Sequence, residues 1–65
     1  MNITKRELEI CKLLVLGKSN TEIGEILNVS YYTVKWYIPK LLKKFNADNR
    51  THLAYILGRN NVVDL

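Results

Sequence analysis

Helix-start signals recur so often in this chain that they leave room for little except short helices. Thr4 with Glu7, and Ser19 with Glu22, each form a capping-box pattern. In that pattern a hydroxyl and a carboxylate three residues apart satisfy each other's backbone amides. Ile3 and Leu8 stand at the two positions of a hydrophobic staple around the first box. Ser30 offers a third cap, and Asn49 or Asp48 a fourth. Stop signals alternate with these starts. Gly17 suits the left-handed conformation that closes a helix, Asn28 can end the next one, and Asn46 to Asp48 form a break. Asn61 is a further left-handed cap candidate, after which Val62 and Val63 are expected to fold back onto the core. The spacing predicts an all-α domain with helices over about 5–16, 20–27, 31–45 and 50–60. No strand pattern, repeat or linker competes, so residues 1–65 are read as one domain.

The third segment is the most informative. Val34, Ile38, Leu41, Leu42 and Phe45 recur at helical spacing and fall within an arc of roughly 100°. Pro39 interrupts them, removing a backbone donor and crowding the carbonyl of Lys35. Because the apolar phase continues through it, one helix with a kink near Pro39 is expected rather than two. In the second segment Ile23, Ile26 and Leu27 are expected to face inward, with Val29 plugging the connection that follows. In the first, Leu13 falls among polar neighbours and reads as an edge-of-core residue.

With 65 residues the chain can bury only about 60% of its unfolded surface, so it is a marginal domain helped by dimerisation or a ligand. A lone Cys11 and a lone His52 make no disulfide and no metal cluster; Cys11 is expected to be a buried structural thiol. No cofactor is expected. The chain has no nucleophile–base set, no facing carboxylate pair and no phosphate loop, which argues against an enzyme. It also has no secretory or membrane-length apolar run, so a cytoplasmic location with no membrane partner is expected.

Net charge is +4, and its position matters more than its size. Residues 1–30 balance, whereas residues 31–45 carry Lys35, Lys40, Lys43 and Lys44 with no acid. A positive stripe on one element is what a polyanion-binding surface needs. A short helix, a turn of about three residues and a longer basic helix also make the helix-turn-helix arrangement, whose second helix enters the DNA major groove.

The residues themselves resemble a known family. ITKRELEI at 3–10, GKSNTEI at 17–23, LNVS at 27–30, TVK at 33–35 and NRTHLA at 49–54 are similar to the LuxR-type (GerE-like) helix-turn-helix domain of bacterial transcription regulators. The resemblance covers nearly the whole chain. It implies a sequence-specific DNA-binding regulator that contacts promoter DNA with its third helix and dimerises through its fourth. Three departures stand out: Tyr37 where the family often has His, Gly24 where it usually has Ala, and Pro39 where it commonly has a polar or basic residue.

On helical geometry Trp36 lies opposite the apolar arc of the third helix, flanked by Tyr32, Lys43, Lys40, Pro39 and Lys35. Lys35 is expected to donate to guanine in the major groove, with Trp36 and Tyr32 meeting thymine methyls or sugars. The resemblance places Lys35 and Trp36 at base-reading positions. Phosphate contacts are expected from Lys40 and Lys43, from Thr33, and from Lys18, Ser19 and Asn20 at the start of the second helix. Tyr55, Gly58 and Arg59 form a candidate two-fold interface. The resemblance assigns Arg50 to a structural tie with an acid such as Glu7 or Glu9. Double-stranded DNA and a second copy of the chain are the expected partners, with RNA polymerase or a separate regulatory domain as further candidates. The alternative is a helix-turn-helix-derived module that regulates transcription by binding another regulator.

Overall fold

The computed structural model describes residues 2–60. It contains α1 (Lys5–Val15), α2 (Asn20–Leu27), α3 (Tyr31–Lys44) and α4 (Arg50–Arg59), and no strand among the described residues. The expectation of an all-α, four-helix helix-turn-helix domain holds. Leu16, Phe45 and Asn60, expected as last helical residues, are instead the caps that follow. The expected roles of Asn61, Val62 and Val63 lie outside the described residues.

Both capping boxes form, with the amides of Glu7 and Glu22 donating to the hydroxyls of Thr4 and Ser19 at 3.1 Å. The return bonds from the Thr4 and Ser19 amides to the glutamate carboxylates are 2.9 Å. Ser30 caps α3 and Asn49, rather than Asp48, caps α4. The ends of α1, α2 and α3 share one device. Gly17, Asn28 and Asn46 each adopt positive φ, at 83°, 58° and 54°. In each case the amide of the next residue returns to a carbonyl five residues back: Lys18 to Leu13, Val29 to Gly24 and Ala47 to Leu42. This is the Schellman closure, which satisfies carbonyls that the ending helix would orphan.

Ile10, Cys11 and Leu14 of α1 meet Ile23 of α2, Val34 and Leu41 of α3, and Leu53 and Leu57 of α4 in one buried core. Helix α2 packs chiefly on α3 and α1 chiefly on α4, and α3 joins the two pairs. Ile38, Leu42 and Phe45 are half-buried against the core, so the apolar arc of α3 faces inward as its spacing requires. Leu13 also packs at its edge. Burial pushes the Cys11 thiol up to about 11, with the Glu7 charge adding to the effect.

One inward assignment needs correcting. Ile26 is 54% exposed, because α2 is short and packs chiefly on α3, burying Ile23 and Gly24. Gly24 takes the tight position instead: a Cβ there would lie 2.8 Å from the carbonyl oxygen of Val29. That close approach lets the chain turn from α2 into α3 in so few residues. Helix α3 runs unbroken through Pro39, which is exposed. No helix among the described residues is long and apolar enough to cross a membrane.

Candidate nucleic-acid interface

The outward face of α3 follows from the burial of the opposite face. Val34 and Leu41 are fully buried, and this leaves Tyr32, Lys35, Trp36, Pro39, Lys40 and Lys43 exposed together on the far side. Tyr32 is 77% and Trp36 59% exposed, although each would remove a large apolar surface from water if buried. Their rings are nonetheless braced. The Lys40 ammonium lies 4.0 Å from the centre of the Trp36 ring, and Tyr37 meets that ring edge-on at 5.1 Å. Tyr31 and Tyr32 meet in the same T-shaped way at 5.5 Å. A cation over an indole face is attracted by the ring quadrupole, so Lys40 and Trp36 act as one amphipathic unit.

Lys44 does not belong to this stripe. Its ammonium lies 2.8 Å from a carboxylate oxygen of Glu7 and donates to the carbonyl of Asn2 at 2.9 Å. Glu7 is only 3% exposed. Its carboxyl is held below the usual range first by the Lys44 hydrogen bond, then by the Thr4 amide. The unopposed outward lysines of α3 are therefore Lys35, Lys40 and Lys43.

Arg50 also departs from expectation. Glu7 pairs with Lys44, and Glu9 faces Arg6 at 3.8 Å, so neither expected acid meets it. Its guanidinium instead donates to the carbonyl of Lys18 at 2.6 Å and to the side-chain oxygen of Asn20. Burial lowers its pKa, yet an arginine remains charged. The start of α4 is thus tied to the start of α2, and Arg50 is the residue of this region whose role the sequence reading missed. The missed signal was competition: two cations claim Glu7, and only one can sit at the end of α3.

At the start of α2 the capping box consumes the amides of Ser19 and Glu22. Glu22 is fully exposed, and its carboxyl is lowered by the Ser19 amide and then by the Ser19 hydroxyl. Among the described residues, the first-turn amides left free for an anion are those of Asn20 and Thr21. The Ser19 hydroxyl accepts from Glu22 but keeps its own hydrogen to donate. The Thr33 hydroxyl is 2.9 Å from that of Ser30, so one hydrogen of this pair is spent internally and one remains.

On α4 the outward side chains of Tyr55 and Arg59 meet, with the guanidinium donating to the phenol oxygen at 2.9 Å. Gly58 beside them opens onto free space. His52 accepts the Asp48 amide at 2.9 Å and closes the turn before α4.

Comparison with known proteins fits this arrangement. The family described as "Bacterial regulatory proteins, luxR family" matches residues 1–57. The chain is 44% identical to the transcriptional regulatory protein LiaR of Bacillus subtilis (strain 168), over 97% of this chain and 30% of that protein. It is 42% identical to the uncharacterized transcriptional regulatory protein YxjL of the same organism, over 92% of this chain and 28% of that one. It is 43% identical to the regulatory protein SdiA of Escherichia coli (strain K12), over 83% of this chain and 22% of SdiA. The chain spans less than a third of the length of these relatives. With the family match covering most of its length, the chain belongs to the LuxR family of bacterial regulatory proteins.

Proposed function

We propose that this chain binds double-stranded DNA sequence-specifically and regulates transcription, placing α3 in the major groove and pairing with a second copy through α4. The observation that carries this reading is the outward face of α3. It combines three lysines with two exposed aromatic rings and has no acid. In this reading Lys35, Trp36 and Tyr32 meet base edges. Lys40, Lys43 and Thr33 meet phosphates beside them, and Lys18, Ser19 and Asn20 hold a phosphate at the start of α2. Tyr55, Gly58 and Arg59 supply the contact between copies. The two recognition helices then enter grooves about one helical turn apart. RNA polymerase or a separate regulatory domain would be met on other surfaces.

Binding to duplex DNA over a range of salt concentrations tests the reading. Lys18, Lys40 and Lys43 on each of two protomers would neutralise about six phosphates, giving a log–log slope of about −5. Salt-insensitive or absent binding would overturn the proposal and favour a protein-binding module.

A further inference from the structure

We infer that the half-site this chain recognises is read through thymine methyl groups and guanine, with no bidentate amide reading of adenine and no carboxylate reading of cytosine. The inference rests on the DNA-binding reading above and concerns what the same face selects.

Each base offers a distinct set of groups in the major groove. Adenine is read by a side chain that donates to N7 and accepts from N6 side by side, which Asn and Gln do. Cytosine is read by an acceptor for its N4 hydrogens, which Asp and Glu provide. Helix α3 contains none of these four residue types. Lys35, exposed on its outer face, is a pure donor suited to the two acceptors of guanine. The other two side chains proposed to meet base edges, Trp36 and Tyr32, are aromatic.

Two features make those rings readers rather than loose surface. Trp36 is held between Lys40 and Tyr37, and Tyr32 against Tyr31, so neither ring must be ordered on contact. Positions 32 and 36 are also one turn apart on the same side, about 6 Å along the axis. That is close to two base-pair steps at about 3.4 Å each. A pair of thymine methyls two steps apart would meet the two rings, and their removal from water would stabilise the complex. Thr33 does not restore a bidentate adenine reader, because one hydroxyl that also bonds Ser30 cannot donate to N7 and accept from N6 side by side.

The test uses duplexes selected from a random pool by the wild-type chain, then resynthesised with deoxyuridine for thymine. This change deletes only the major-groove methyl. Each contacted methyl lost should weaken binding about fourfold, and two in one half-site about sixteenfold, from the free energy of burying one such group. Trp36→Ala should weaken binding to the thymine duplex and remove its own share of the uracil effect. Because Trp36 is exposed, the variant is expected to unfold at the temperature of the parent. Deoxyuridine duplexes bound as tightly as their parents, or selected half-sites without thymine, would overturn the methyl reading while leaving DNA binding standing. Absence of salt-sensitive binding to any duplex would instead remove both.

Discussion

Replacing Lys44 by Met should unsettle this domain more than any other change to a charged residue. The ammonium is 2.8 Å from Glu7, whose side chain is nearly sealed from water, and it joins the end of α3 to the start of α1. Lys44→Met keeps the aliphatic stem but leaves the carboxylate with the Thr4 amide as its remaining partner. Breaking a buried pair by removing one member destabilises by about 3–5 kcal/mol. The Lys44 side chain keeps 28% exposure, so water reaches its end of the pair, and the lower figure, about 3 kcal/mol, applies. A domain of 65 residues has about 3–10 kcal/mol in all. In urea, followed by far-UV circular dichroism at pH 7, the midpoint should fall by about 2–3 M with an unchanged slope near 1 kcal/mol/M. The pH dependence carries a second signature. Glu7 has a lowered pKa in the fold, so its stabilisation is present above the ordinary carboxylate value of 4.5 and is lost as pH falls through the folded value. In the variant, burial without the lysine favours the protonated acid, so the stability gap between the two proteins should narrow below about pH 4. A midpoint within about 0.5 M of the parent at pH 7, or a gap as wide at pH 3, would refute the reasoning.

Two further expectations concern the helix-turn-helix pair. Gly24→Ala should lower stability by about 1–2 kcal/mol even though alanine gains about 1 kcal/mol in helix propensity, because its Cβ would meet a backbone oxygen and the α2–α3 turn settled around glycine would have to shift. A melting temperature about 4–8 °C lower per kcal/mol would appear by calorimetry, and a rise would contradict the packing described. Arg50→Met should remove about 1.5–3 kcal/mol of charge-assisted hydrogen bonding. Amide hydrogen exchange should accelerate in the first turn of α2, at Ile23 in particular, more than in the middle of α1. Uniform acceleration across the chain would show that the tie is not local.

The helix boundaries were legible because their signals are local. A capping box spans four residues and a left-handed Gly or Asn acts on the turn it closes, so Thr4, Ser19, Gly17 and Asn28 announced themselves. The outward face of α3 was legible for the same reason, since period alone separates Trp36 from Val34. What could not be read was choice among distant partners. Glu7 could have gone to either of two cations, and the fold awards it to Lys44, 37 residues away. The loser, Arg50, then turns to backbone and amide oxygens across 32 and 30 residues. Ile26 failed as an inward residue because a short helix packed chiefly on one neighbour has a narrower inward face than its hydrophobicity suggests. The brace between Lys40 and Trp36 was within reach as an i, i+4 pair, although its effect on ring order was not.

Trp36 is the single tryptophan of the chain, and it stands on the proposed contact face with a positive charge 4.0 Å from its ring centre. The protein therefore carries its own optical gauge of that face. Excited beyond the tyrosine band, the emission comes from Trp36 alone and depends on whether Lys40 rests on the indole or has been drawn away. A phosphate that recruits Lys40 and a base that shields the ring would each change that emission. Occupancy of the proposed contact face of α3 can thus be followed in unlabelled protein, one residue reporting on the surface to which it belongs.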